Sequence, residues 1–170
     1  MARIVDMYLA AFDTGRRSGY AIYETFGYCQ LVECGTFQSS LPNIYAFFDK
    51  WSIGHVVAEK PQHYQTHLSK GDPNKLTPLA VECGQIAGIA YCAGIRSDGS
   101  DGIDPENISL PYPSTWKGQL PKQVAMRRAK GLLTHNELAL AGSDNPHDKW
   151  DAIGLGLYEL DRIGLRRGWK

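Results

Sequence analysis

Four carboxylates in this 170-residue chain stand where a carboxylate is costly. Asp13 directly follows the apolar run Tyr8-Leu9-Ala10-Ala11-Phe12, and Glu59 closes Val56-Val57-Ala58. Asp148 and Asp151 are spaced i, i+3, so they share one face of a helix that continues into apolar residues. A carboxylate beside buried strands is unfavourable unless it is paired or bound to a cation. Mutual repulsion forbids several in one place without one. A divalent ion answers both demands, and hard oxygen ligands favour Mg²⁺ or Mn²⁺. Two such ions about 3.5–4 Å apart form a phosphodiester-hydrolysing centre. Each acid also has an ordinary alternative. Asp13 suits a turn before Thr14-Gly15, Asp148 suits a helix start, and Glu59 suits a strand cap. All three alternatives holding at once, on elements that would converge, is the less economical reading.

The elements that must position these acids can be read from periodicity and punctuation. Residues 8–12 form a short buried strand, the turn 13–19 carries two glycines, and 20–24 return as a second strand. Residues 28–37 give a third, completing an antiparallel meander. Pro42 opens a helix with Ile44, Tyr45, Phe47, Phe48 and Trp51 on one side and Gly54 at its end. Residues 55–59 form a strand after that helix, as a crossover onto the same sheet requires. Residues 61–74 are a long polar loop, and 76–95 the main apolar helix. Residues 97–102 form an acidic turn whose spacing does not match a calcium-binding EF-hand. A strand over 107–112 and helices over 121–133 and 147–166 complete the order β-β-β-α-β-α-β-α-α, a mixed-sheet α/β domain. No repeat or linker divides residues 1–170, so a single domain is expected.

Composition sets further bounds. The formal net charge is zero, 18 basic residues against 18 acidic, which excludes a histone-like grip on nucleic acid by bulk charge. The sum hides a local excess. Residues 113–133 contain Lys117, Lys122, Arg127, Arg128 and Lys130 and no acid. Setting the four carboxylates aside leaves 14 acids against 18 bases. The basic segment is then a candidate binding face beside an acidic pocket. A solvated amphipathic helix is the alternative for Arg127, Arg128 and Lys130. Trp116 suits packing better than base stacking. Asp6 interrupts the only apolar run near the start, so no signal peptide is expected, and residues 76–95 carry Glu82, Gln85 and three glycines, unlike a membrane span. Cys29, Cys34, Cys83 and Cys92 show no metal-ligand spacing and read as buried, reduced thiols without a disulfide partner. His63 and His67 read as surface residues, whereas His147, next to Asp148, is an auxiliary candidate for the base step.

Four segments in order carry a resemblance. Phe12-Asp13-Thr14-Gly15 through Ser18-Gly19-Tyr20-Ala21-Ile22 is one. Val57-Ala58-Glu59-Lys60-Pro61 is the second. Glu82-Cys83-Gly84-Gln85-Ile86-Ala87-Gly88-Ile89-Ala90 is the third, and Asp148-Lys149-Trp150-Asp151-Ala152-Ile153-Gly154-Leu155 the fourth. Together they resemble the RuvC-type Holliday junction resolvases of the RNase H-like superfamily. Thr14 departs from the family's usual proline.

The resemblance implies an RNase H-like mixed sheet flanked by helices. It implies a homodimeric, Mg²⁺-dependent endonuclease that resolves four-way DNA junctions to 5′-phosphate ends. Asp13, Glu59, Asp148 and Asp151 would hold two Mg²⁺, with Mn²⁺ as a substitute. Lys117 and Lys122 would support catalysis and touch DNA, with Arg127, Arg128 and Lys130 on backbone phosphates. The family's aromatic junction wedge would fall on Tyr64 or His63. It also implies a cytoplasmic protein of a bacterial or phage-infected cell. Alternatives are a nuclease of RNA–DNA hybrids or of branched DNA more broadly, and a non-catalytic nucleic-acid-binding module. The chain is too short for the two-domain plan of actin-like ATPases.

Overall fold

The computed structural model describes residues 8–15, 17–62, 76–93, 103–144 and 146–169. Strands β1 (Tyr8–Asp13), β2 (Arg17–Glu24) and β3 (Leu31–Gln38) form the antiparallel meander. Helix α1 (Leu41–Lys50) leads to β4 (Ile53–Ala58), which lies parallel to β1 on its other side. Helix α2 (Leu76–Ala93) and a short 3-10 helix precede β5 (Ile108–Ser109), parallel to β4. The sheet order is β3-β2-β1-β4-β5. Helices α3 (Pro113–Trp116), α4 (Lys122–Leu132), α5 (His135–Ala141) and α6 (His147–Arg162) follow. This is the mixed sheet flanked by helices that the element order predicts.

Strand alternation divides the core into two layers. Leu9, Ala11, Ala21, Tyr23 and Val57 face α6, with α4 packed on α6 and α5 against β3. Ala10, Phe12, Ile22, Val56 and Ala58 face α1 and α2. Asp13 and Glu59 continue the odd-numbered rows of their strands, so both belong to the α6 face. Parallel pairing of β1 with β4 then places them side by side at the carboxyl ends of the two central strands.

Several boundaries differ from the sequence reading. Strand β3 begins at Leu31 rather than 28, because Cys29 adopts a left-handed φ of 52° in the preceding turn. Helix α1 ends at Lys50, since Trp51 is already extended and enters β4. The expected strand over 107–112 shrinks to two residues, because Pro111 and Pro113 cannot donate to a ladder, and α3 starts at Pro113. Helix α5 was not anticipated, although the Thr134/Glu137 capping box announces it. Helix α6 stops at Arg162, where Gly164 takes a φ of 79°. Cys92 is exposed, unlike the buried position expected of all four thiols, and all four are free. No helix among the described residues is long and apolar enough to cross a membrane. The turn 97–102 lies outside the described residues.

Helix α6 reaches the carboxyl end of β1 only because β2 carries glycine there. Gly19 pairs with Asp13, and a Cβ added to it would lie 1.8 Å from the carbonyl oxygen of Asp148. Further along, Gly156 lets α6 lie against Tyr23, whose hydroxyl donates to the Ile153 carbonyl at 2.9 Å. At Gly19 the obstacle is backbone, which cannot rotate away. Gly19→Ala is therefore expected to destabilise the protein by about 1–3 kcal/mol, toward the upper end, as overpacking of a rigid contact does. The midpoint of urea unfolding checks this. An unchanged midpoint contradicts the close approach of β2 and α6.

Candidate active site

The site is built from the ends of three elements. Asp13 closes β1, and the Glu59 amide donates to the Phe12 carbonyl at 2.9 Å, extending the parallel ladder one residue past β4. The Thr14 hydroxyl donates to the Glu59 carbonyl at 3.0 Å and ties the turn after β1 to the same point. Helix α6 enters beside them. Asp151 lies one turn inside it and is buried at 4% exposure, whereas Asp148 is half-buried at its first turn. The α6 start is itself anchored. Lys149 is buried and its ammonium donates to the Ala141 carbonyl and the Asp144 carboxylate, each at 2.6 Å.

The ammonium of Lys117 stands between two of these acids, 3.3 Å from Glu59 Oε2 and 3.3 Å from Asp151 Oδ2. Trp116, the preceding residue, donates its indole N–H to Glu59 Oε2 at 2.7 Å, and its ring lies 4.7 Å from the same ammonium. Trp169 in turn donates to the Trp116 carbonyl at 2.7 Å and fixes this corner. Lys122 reaches Asp151 Oδ2 at 3.7 Å from a largely exposed position.

Charge in this pocket is not balanced. Burial, then the carboxylates of Glu59, Asp151 and Asp148, push Asp13 well above the usual carboxylate range, and Lys117 only partly opposes them. Burial also pushes Glu59 up, against the counter-pull of Lys117 and Trp116. Burial pulls Lys117 down, but Glu59, Asp151 and Asp13 outweigh it and hold the ammonium above its ordinary value. The neighbouring acids thus bear electrostatically on Asp13 and Glu59, with the partly buried Lys117 ammonium among them.

Among the described residues no three His, Cys, Asp or Glu side chains close around a common point as a preformed metal cage. The carboxylates are arranged around the Lys117 ammonium instead. The donor chemistry still fits a hard divalent cation. All the candidate ligands are carboxylate oxygens, and the raised carboxyl groups are those a cation would return to the ionised state. Asp13, Glu59, Asp148 and Asp151 are the residues that would hold it.

Other candidates lie elsewhere. Arg128 stacks over Trp169 at 5.8 Å and Lys130 over Trp150 at 4.6 Å, while Arg127 is exposed. His147 is exposed on the first turn of α6. Tyr64, with His63 and His67, lies outside the described residues. Trp116 is a site residue that composition did not reveal. It packs as expected, at 4% exposure, yet its N–H orients Glu59. The signal was available in its adjacency to Lys117.

The sequence matches no protein-family model, and no curated protein matches it. Solved structures do match. Thermus thermophilus RuvC aligns with a TM-score of 0.57 at 16% identity, over 94% of this chain and 98% of that one. T. thermophilus RuvC in complex with a Holliday junction substrate aligns with a TM-score of 0.56, again at 16% identity, 94% and 98% coverage. The yeast mitochondrial Holliday junction resolvase Ydc2 aligns at 0.51 and 13% identity, over 89% of this chain and 76% of that one. The chain therefore belongs to the α/β class with an RNase H-like mixed sheet. Within that class it shares the fold of these RuvC structures.

The raised carboxyl groups have a consequence for stability. A folded pKa above the unfolded one means that folding disfavours the ionised form. That penalty is absent below the unfolded value of 3.8 for Asp13, grows as pH rises, and is complete above the folded pKa. Asp13→Asn removes the charge. Its thermal midpoint is expected to exceed that of the wild type at pH 8 and to match it near pH 4. Calorimetry at both pH values tests this. A midpoint at pH 8 equal to or below the wild-type value contradicts the repulsive pocket.

Proposed function

We propose that the protein is a divalent-metal-dependent endonuclease that cleaves four-way DNA junctions by paired phosphodiester hydrolysis, leaving 5′-phosphate ends. The convergence of acids from β1, β4 and α6 on one face, around the Lys117 ammonium, carries this reading. The likeness to two RuvC structures, one of them bound to a Holliday junction substrate, supports the substrate class.

Asp13, Glu59, Asp148 and Asp151 would hold two Mg²⁺, or Mn²⁺ in their place. When bound, these cations supply activation of the attacking water and charge stabilisation for the leaving 3′ oxygen. The protein contributes the rest. Trp116 holds Glu59 in one orientation, and Thr14 keeps the Asp13 turn against the end of β4. Lys117 brings a fixed positive charge to the place where the scissile phosphate would enter, and such a charge favours the more negative transition state over the ground state. Lys122, mostly exposed beside Asp151, is placed to meet a backbone phosphate. Arg127 on the exposed side of α4 extends the positive surface.

A junction has two strands to cut, related by a two-fold axis, so the active species is a homodimer. Helix α2 offers a face suited to self-association. Val81, Gly84, Gly88 and Tyr91 are exposed at helical spacing, and a Cβ on either glycine would meet nothing within 4 Å among the described residues. Substitutions there leave the protomer's own packing intact. Gly84→Lys with Gly88→Lys is expected to convert a dimer into a monomer by sedimentation equilibrium, with an unchanged circular dichroism spectrum. A wild-type monomer that cuts both strands in concert contradicts the two-fold argument.

The cleavage chemistry has its own test. Asp151→Asn is expected to abolish Mg²⁺-dependent cutting of a labelled four-way junction while leaving junction binding within about threefold, because the lost group serves the metal and not the DNA contact. Retained cutting in Mg²⁺ sinks the metal-site assignment. Equal rates on a four-way junction, a Y-fork and an RNA–DNA hybrid sink the junction preference.

A further inference from the structure

Glu82 is a buried carboxylate that the chemistry above does not use. It sits on α2, 5% exposed, in an otherwise mostly apolar stretch. Its partners are two hydroxyls. Ser18 and Ser39 both bring their hydroxyls within hydrogen-bond distance of its Oε1. Ser18 is on β2 next to Gly19, so alternation points it to the opposite face of the sheet from the acidic pocket. Ser39 lies just past the end of β3.

The same hydroxyls grip the turn that carries Asp13. Ser39 Oγ donates to the Gly15 carbonyl at 2.8 Å, and Ser18 Oγ accepts from the Gly15 amide at 3.2 Å. The two hydroxyls are 2.8 Å apart. Each hydroxyl has one proton, so the two protons are shared between two acceptors, the Glu82 carboxylate and the Gly15 carbonyl, while the Gly15 amide donates to Ser18. Burial pushes the Glu82 carboxyl up, and hydrogen bonds from both serines and the Gly15 amide pull it back. A buried acid in this place is costly unless its oxygens are used. Here they close the network.

We propose that Glu82 is a positioning residue: through Ser18 and Ser39 it fixes the Asp13-Thr14-Gly15 turn from behind the sheet, and so sets where the Asp13 carboxylate stands relative to Glu59 and Asp151. The proposal rests on the nuclease reading for its functional consequence. Thr14 holds the turn sideways to β4, and Glu82 holds it from α2. Without Glu82, the two hydroxyls lose their shared acceptor in a buried site, and their hold on Gly15 is no longer fixed from α2.

The test compares Glu82→Ala with Glu82→Gln, which keeps an oxygen at Oε1. Three readouts apply: Gly15 amide exchange by NMR, Mn²⁺ affinity of the DNA-free protein by EPR, and junction cleavage split into kcat and KM. In Glu82→Ala, Gly15 exchange is expected to accelerate. Mn²⁺ affinity and kcat are each expected to fall about 10–100-fold, as when an outer partner of a metal ligand is removed. The KM for junction should stay within about twofold, since the DNA-facing lysines are untouched. Glu82→Gln is expected to restore all three readings to within about threefold of wild type. If Glu82→Ala does not fold, Ser39→Ala gives the same readings on a smaller scale. A folded Glu82→Ala or Ser39→Ala protein with wild-type Gly15 exchange, Mn²⁺ affinity and kcat overturns the proposal, as does a Gln variant as impaired as the Ala variant. A wild type that binds Mn²⁺ but leaves junctions intact refutes the junction reading alone, and exchange and Mn²⁺ affinity then decide the role of Glu82. A wild type that binds no Mn²⁺ refutes both.

Discussion

The structure turns on one electrostatic constraint: carboxylates from β1, β4 and α6 are held together at the carboxyl ends of two central strands, with the partly buried Lys117 ammonium among them. Like charges in a poorly hydrated place repel, and burial penalises each of them separately. Lys117 relieves part of this by standing 3.3 Å from Glu59 and from Asp151. The relief is incomplete, because Asp13 and Glu59 are still pushed toward their neutral forms. A pocket with that imbalance is stable only if the rest of the fold supplies enough packing to hold it. It is also a pocket that gains from any further cation.

The packing that holds it is arranged in layers behind and beside the acids. Leu9, Ala11, Tyr23 and Val57 join α6 to the sheet on the side where the acids point. Gly19 lets the start of α6 touch β2, so that Asp148 and Asp151 arrive beside Asp13. Lys149 ties the same helix start to the end of α5. On the far side, Phe12, Ile22, Val56 and Ile86 fill the α1 and α2 layer, and the Ser18, Ser39 and Glu82 network lies in that layer directly behind the Asp13 turn. Elements remote in sequence thus bear on one carboxylate from two sides.

Much of this was legible in the residues. The meander, the crossover to a parallel strand and the long final helix follow from apolar runs and their punctuation, because periodicity reports burial directly. Asp13 and Glu59 stood out because each directly follows a buried strand. Asp148 and Asp151 stood out because helical spacing puts them on one face. Less legible were short elements whose formation depends on neighbours. Residues 107–112 read as a strand, but prolines limit pairing to Ile108 and Ser109. Helix α5 is only seven residues long, and its capping box was the sole local sign. Arg128 and Lys130 also rest over tryptophan rings, a placement that no local pattern announces.

By itself the sequence determined which acids would be expensive, which strands would be buried, and that a local basic segment hides within a net charge of zero. These are properties of single residues and their immediate spacing. Only the tertiary structure decided what surrounds the acids. It placed Lys117 between Glu59 and Asp151 and put the Trp116 indole on the same Glu59 oxygen. It also linked Glu82 across the sheet to Gly15 through two serines. Those contacts join residues up to 64 positions apart. Their geometry is set by strand pairing and helix docking, which a local pattern does not encode.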